Sequence, residues 1–134
     1  MPVDLHYICK RGRNFKWLSD EIFETGNWTA TDQLAALVMD GGRIFIHTAQ
    51  KEPAWHGGTL IDVRAAPEPE EDRKIFRCRR DFDFKVACPV VWAQQRAIAY
   101  WIGGRTQLIT RQEYLQAIKI ERTRKVVNLR QAAS

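Results

Sequence analysis

Hydrophobic and polar residues alternate along several short segments of the chain, which is the pattern of half-buried β-strands. The clearest segments are VDLHYIC at 3–9, RIFIHT at 43–48 and TLIDVR at 59–64. We expect the last two to be neighbours in a sheet, with the loop 49–58 over the mouth of a pocket. A further strand pair is predicted over 97–109, around the turn signal Gly103–Gly104.

Two segments carry helix signals instead. The first, TATDQLAALVMDGG, begins at Thr29, whose hydroxyl is expected to cap the helix, with Asp32 in its first turn. The second begins with the capping box Thr110–Glu113 and predicts a basic helix over 111–127. Because strands outnumber helices, we expect an α+β fold with a mixed, curved sheet or small β-barrel and flanking helices.

The length of the chain, 134 residues, suits one domain with one core. We therefore predict a single domain over 1–134 that ends in a frayed tail at 128–134. No apolar run approaches the ~20 residues of a membrane span. The first residues lack the apolar run of a secretion signal, so a cytoplasmic protein without membrane contact is expected.

The residue types that commonly carry catalysis or metal binding are not arranged in a recognisable motif. Cys9, Cys78 and Cys88 are odd in number and widely spaced, which argues against a disulfide framework. The sequence has no C-x-x-C or H-x-x-x-H spacing and no G-x-S-x-G, H-E-x-x-H or P-loop motif. Neither a metal nor a cofactor is expected, and binding is favoured over catalysis.

The formal net charge of +5 is compatible with a polyanionic partner. Basic residues cluster near the start, where Arg11 and Arg13 lie, and again over 73–80. Arg73, Arg77 and Arg79 share one face of a long alternating segment, 73–88, that is expected to bend near Arg80 and Asp81.

Like charges side by side on a strand repel one another unless an anion lies nearby. For the arginine ladder of Arg73, Arg77 and Arg79, that anion is either a set of phosphates or the acidic segment EPEED at 68–72 folding back. The pattern does not decide between them, and Arg11 and Arg13 are candidates for further phosphate contacts.

Trp28 follows Asn27 at the start of the first predicted helix. Its indole can stack on a nucleobase while Asn27 hydrogen-bonds the base edge, or it can simply pack onto the helix. Trp55, His56 and Gly57 form a second candidate site, because glycine allows a close approach and tryptophan offers a broad face.

His47 ends a strand beside this second candidate site. Its imidazole can bond a ligand or cap the loop. Trp55 likewise can bind a ligand or fold onto the sheet.

The order of these signals resembles the PUA-like superfamily, with its EVE, ASCH and YTH branches. The resemblance rests on a capped helix after GNW, then GGRIFIH, PAWHGGTLIDV and RKIFRC, over about 26–100. It implies a PUA-like fold and a pocket that holds a nucleobase, with Trp28 just before the helix and Trp55 in the loop at the pocket rim.

Two functions follow as hypotheses. The first is a nucleic-acid-binding module that holds one unpaired or flipped base, with or without a chemical modification, in an aromatic pocket. The nucleic acid is either RNA or DNA. The second is a protein-interaction module or inhibitor, such as a phage- or toxin-system accessory, in which exposed tryptophan and arginine side chains contact a protein partner.

Overall fold

A computed structural model describes residues 2–67 and 72–133 of the chain, apart from the side chains of 122 and 125–133. It contains eight strands and two helices. The strands are β1 Val3–Ile8, β2 Phe15–Trp17, β3 Ile22–Thr29, β4 Arg43–His47, β5 His56–Ala65, β6 Arg73–Arg80, β7 Arg96–Ile102 and β8 Gln107–Ile109, and the helices are α1 Asp32–Val38 and α2 Arg111–Ala133.

All the strands belong to one open, mixed sheet with the order β2-β3-β6-β5-β4-β1-β7-β8. Only the β1–β4 pair is parallel among the described strands, because α1 lies between β3 and β4 and returns the chain to the middle of the sheet. The expected α+β class is confirmed. So is the pairing of the segments 43–48 and 59–64, since β4 and β5 are antiparallel neighbours.

Alternation along the strands produces the core. Leu5, Ile44, Phe76 and Cys78 are fully buried, and Val38 of α1 packs with them. Helix α1 is tied to the sheet by Lys74, whose buried Nζ donates to the carbonyl oxygen of Ala30 at 3.1 Å. No helix in the described part of the chain combines the length and the apolar character that crossing a membrane requires.

Asp4 is a buried carboxylate at the start of β1, and it connects three parts of the sheet. Its oxygens accept from Arg105 at 2.7 and 2.8 Å and from Trp101 Nε1 at 3.0 Å. The backbone N–H of Arg43 donates to it at 2.8 Å. These hydrogen bonds offset the cost of burying the charge.

The break predicted near Arg80 and Asp81 in the segment 73–88 is confirmed, since β6 ends at Arg80, but the strand does not resume after it. Asp81 accepts from Arg43 Nε at 2.8 Å and from the Thr59 hydroxyl at 3.2 Å, so these contacts draw the chain out of the sheet. The alternation continues after this point without burial, and Phe82 is 85% exposed.

The predicted helix boundaries also need correction. Thr31, not Thr29, caps α1, because its hydroxyl oxygen accepts from Leu34 N at 3.1 Å. The capping box is confirmed, since Thr110 and Glu113 exchange two hydrogen bonds of 3.1 Å. Helix α2 continues to Ala133, well beyond the predicted end at 127.

Candidate functional site

An irregularity in β3 creates a polar cavity between β1, β3 and the turn before β7. The pairing of β3 with β6 shifts between Thr25 and Trp28, so β3 contains one extra residue there. A bulge of this kind re-aims side chains, and it is common beside binding sites. Gly26 fits because a Cβ would lie 2.8 Å from Ile75 Cγ1. The peptide between Gly26 and Asn27 is cis.

The cavity has a volume of about 440 Å³, which lies in the range of small-molecule sites. Asn27, Trp28 and Thr29 of β3 form one wall, and Tyr7 and Ile8 of β1 form the floor. The remaining lining residues are Asn14, Arg73 and the turn Ala93-Gln94-Gln95-Arg96 that leads into β7. We call this the Asn27 cavity.

Two guanidinium groups face the Asn27 cavity, and backbone carbonyls hold both of them. Arg96 Nη1 donates to Thr29 O at 2.9 Å, and Arg73 Nη1 donates to Asn27 O at 3.1 Å. A carbonyl orients a guanidinium without cancelling its charge. Since none of the described lining residues is acidic, the guanidinium of Arg96 makes this wall suited to an anionic ligand.

Carboxamides supply the other polar groups of the cavity. The side chains of Asn14, Asn27, Gln94 and Gln95 line it, and none of these four amide groups hydrogen-bonds another residue in the described part of the chain. The backbone carbonyl of Gln94 accepts from Gln50 Nε2 at 3.0 Å. A carboxamide donates and accepts at once, so it can pair with the edge of a base.

Trp28 lies in the cavity wall and in the core at the same time. It is only 7% exposed, and its ring stacks on that of Tyr7 with centroids 4.6 Å apart. Its Nε1 donates to the Thr25 hydroxyl at 2.8 Å. The Tyr7 hydroxyl donates to Thr29 O at 3.1 Å, and burial raises the pKa of this phenol. The stacked pair is therefore a rigid support for the cavity.

The second sequence candidate, around Trp55, is not part of the Asn27 cavity. Trp55 is half-buried, and its Nε1 donates to Cys9 O at 3.2 Å. Gly57 lies inside β5, where a Cβ would come within 2.9 Å of the Phe45 ring. Glycine at this position therefore leaves room for the buried Phe45 ring. Gln50, in the loop before β5, donates to the backbone carbonyl of Gln94 in the turn that lines the cavity, at 3.0 Å.

His56 is enclosed by aromatic rings, of which Phe23 at 4.5 Å and Phe15 at 4.8 Å are the nearest. Its Nε2 is buried without a hydrogen-bond partner among the described residues. Burial, assisted by the positive charge of Arg80, lowers the pKa of His56 to about 4.

His47 is fully buried in a chain of hydrogen bonds. Its Nδ1 lies 2.8 Å from Glu52 O, and its Nε2 lies 2.8 Å from His6 Nδ1. Because a carbonyl only accepts, Nδ1 of His47 carries its proton and Nε2 accepts from His6. Burial lowers the pKa of both histidines, in His6 to about 3, so the pair is neutral and stabilises the strand end.

The arginine ladder is divided by the structure. Arg73 lines the Asn27 cavity, whereas Arg77 donates to Glu24 of β3 at 3.2 and 3.3 Å. Arg79 is exposed toward the other end of β6. The anion beside Arg77 is therefore Glu24. The other candidate anion was the acidic segment 68–72, of which residues 68–71 lie outside the described residues.

Arg11 and Arg13 are exposed in the turn between β1 and β2. This turn is fixed next to the cavity, because Asn14 O accepts from the Thr25 hydroxyl at 2.6 Å and from Gly26 N at 3.2 Å. Cys9 Sγ also donates to Arg13 O at 3.3 Å. Both arginines can thus reach a ligand that extends out of the cavity.

Sequence reasoning missed most of the cavity lining, including Tyr7, Asn14, Arg96 and the turn of Gln94 and Gln95. Tyr7 reads as an ordinary strand residue, and AQQR is equally compatible with a helix. Gln94 has a φ of 58°, a left-handed conformation that suits the tight turn and is uncommon for glutamine.

Comparison of the chain with family models, with curated proteins and with solved structures found no match. The resemblance to the PUA-like superfamily therefore stays a prediction. Among the described residues, no group of three or more histidine, cysteine, aspartate or glutamate side chains could hold a metal ion.

Proposed function

We propose that the protein binds nucleic acid by holding one unpaired or flipped base in the Asn27 cavity. The observation that carries the proposal is the combination of an anchored guanidinium, Arg96, with free carboxamides in a cavity of about 440 Å³. A nucleotide presents the matching chemistry, since its phosphate is anionic and its base edge both donates and accepts.

Within this proposal the lining residues have separate tasks. Arg96 contacts the backbone phosphate beside the bound nucleotide, because a carbonyl orients its guanidinium and does not cancel the charge. Arg73, which lines the same cavity, is a second candidate for a phosphate contact. Asn27 reads the base edge. Trp28 and Tyr7 form the apolar side of the cavity against which the base lies.

Flipping a base out of a nucleic-acid duplex costs a few kcal/mol, whereas binding a base that is already unpaired does not carry this cost. Base stacking on an aromatic side chain contributes about 1–3 kcal/mol, so one contact and a few hydrogen bonds can offset the extrusion. The proposal therefore predicts stronger binding to single strands, loops or mismatched sites than to perfect duplexes.

Fluorescence anisotropy with labelled six-nucleotide RNA and DNA strands tests the proposal. We expect wild type to bind at low salt and the Arg96→Gln variant to bind at least tenfold more weakly. Arg79→Gln is the matched control, because it removes the same charge from an exposed position outside the cavity. Equal losses in the two variants would mean that overall charge, not the cavity, attracts the strand.

A protein-interaction module is the alternative function, and one observation favours it. Val91 and Phe82 are 93% and 85% exposed, which is unusual for large apolar side chains in a small domain. If wild type binds none of the single- or double-stranded RNA and DNA probes, this alternative takes the place of the nucleic-acid proposal.

A further inference from the structure

A second aromatic surface lies at the opposite end of β3 from the Asn27 cavity. Trp17 at the end of β2 is 46% exposed, and its register partner on β3 is Phe23. The Arg80 guanidinium lies between two rings, 5.9 Å from the centroid of Trp17 and 4.8 Å from that of Phe82. We call Trp17, Arg80 and Phe82 the Trp17 patch.

The Trp17 patch borders a shallow hollow of about 610 Å³, lined by Trp17, Leu18, Ser19, Asp20 and Arg80. Arg80 Nε is buried and has no hydrogen-bond partner among the described residues. The other guanidinium nitrogens of Arg80 form no hydrogen bond with the described residues either, so they keep their capacity to pair with an anion. The exposed rings beside them can stack on planar groups.

A basic edge joins the Trp17 patch to the Asn27 cavity. The turn before β2 and β2 itself, which is the edge strand of the sheet, carry exposed cations at Lys10, Arg11, Arg13 and Lys16. No acidic residue interrupts the sequence between Lys10 and Ser19. Asn14, in the middle of this segment, lines the Asn27 cavity. Trp17, three residues later, is the last residue of β2 and belongs to the Trp17 patch.

The separation of the two sites fits a short nucleic-acid strand. Five steps along β3 separate Phe23, opposite Trp17, from Trp28. At about 3.3 Å per residue this is roughly 17 Å. Stacked nucleotides advance about 3.4 Å each along a strand, so roughly five of them cover the distance and fewer suffice when extended.

We infer that the Trp17 patch stacks on the bases that follow the one held in the cavity, while the basic edge follows the phosphates between them. The ligand is then a single-stranded segment of about four to six nucleotides, not an isolated nucleotide and not a duplex, whose paired bases cannot reach the rings. This inference rests on the proposed function.

Affinities for a series of single strands from one to eight nucleotides, measured by calorimetry, test the inference. We expect the affinity to rise up to about six nucleotides and then level off. Phe82→Ala should weaken hexamer binding by about 5- to 150-fold, the range that corresponds to ~1–3 kcal/mol per stacked base, and leave binding of a nucleoside monophosphate unchanged. Because Phe82 is 85% exposed, this variant should fold normally.

Ile61→Ala is the matched control, since Ile61 is an exposed apolar residue on β5 outside the patch. Equal affinity for one and six nucleotides, or an unchanged hexamer affinity in Phe82→Ala, would overturn the inference and leave the proposed function standing. Absence of all nucleotide binding in wild type would instead remove both. Trp17→Ala provides a second reading of the patch once its folding has been verified by circular dichroism.

Discussion

Glu24 and Arg77 form an ion pair across β3 and β6, with Glu24 Oε2 3.2 Å from Arg77 Nη2. Arg64 of β5 donates to the same carboxylate from the other side. Hydrogen bonds from Arg64, outweighing the effect of burial, lower the pKa of Glu24. The arginine ladder of β6 is therefore partly neutralised within the protein, and its members are not equivalent.

The difference between Arg96 and Arg77 can be measured by salt titration. We expect Arg96→Gln to lower the slope of log affinity against log salt by about 0.7 on a single strand, because one phosphate contact is lost. Arg77→Gln should leave the slope nearly unchanged, since Glu24 already occupies its guanidinium. Equal changes in slope would show that phosphates contact Arg77 as well.

Trp28→Ala should destabilise the protein more than Trp55→Ala. Trp28 is 7% exposed and stacks on Tyr7, so its removal leaves a cavity that typically costs about 3–5 kcal/mol. Trp55 is half-buried, so its replacement by alanine should lower the free energy of unfolding clearly less. Urea unfolding of both variants measures the difference, and a larger loss for Trp55→Ala would contradict the assignment of Trp28 to the core.

Stability should fall on acidification in a window set by the buried histidines. His56 has a pKa of about 4 in the folded protein, below the usual ~6.5 of an unfolded chain. The unfolded state therefore takes up the proton first, and this group favours unfolding progressively from about pH 6.5 down to about 4. His6, with a pKa of about 3, extends the effect to lower pH.

The variant His56→Phe isolates this contribution, because Phe fits the ring of aromatic neighbours and does not titrate. Melting temperatures measured from pH 7 to pH 4 should fall less steeply for the variant than for wild type. Parallel curves would mean that His56 has the same pKa in the folded and the unfolded protein and contributes nothing to the pH dependence.

Asp4 and Arg105 provide a test of the fold that is independent of the cavity. Arg105→Met leaves the Asp4 carboxylate, which is 2% exposed, without its ion-pair partner. Breaking a buried pair costs about 3–5 kcal/mol, and the lower end is expected because the Arg105 side chain is 33% exposed. Denaturant unfolding measures the loss of unfolding free energy, with Arg124→Met, an exposed position on α2, as the control. A loss within ~0.5 kcal/mol of that of the control would contradict the expectation.

Local patterns in the sequence were sufficient for several elements of this fold. The alternation in 43–48 and 59–64 predicted the β4–β5 pair, and Gly103–Gly104 predicted the β7–β8 turn, in which both glycines have positive φ. Each of these features depends on neighbours in sequence, so propensity and spacing are informative.

Features that depend on distant contacts were not predictable. A break near Arg80 and Asp81 was expected, but not that the strand ends there: Arg43, far away in sequence, binds Asp81, and the alternating residues Phe82 and Phe84 form no further strand. The register shift in β3 has no signal apart from Gly26. These outcomes are decided by tertiary contacts, which override local preference.

Only part of the candidate site was predictable, because some of its residues are brought together by distant contacts. Asn27, Trp28 and Arg73 were candidates, and the structure places all three on one cavity. Arg96 was not, because its position depends on a hydrogen bond to Thr29, 67 residues away in sequence.

Soaking crystals of the protein with nucleoside monophosphates, each at millimolar concentration, is the most direct measurement of whether the Asn27 cavity holds a nucleotide. The account predicts electron density for a base against Trp28 and Tyr7, with its edge at Asn27 and its phosphate at Arg96 or Arg73. Density for the ligand at Arg79, outside the cavity, would contradict the account. So would the absence of density for every nucleoside monophosphate tested.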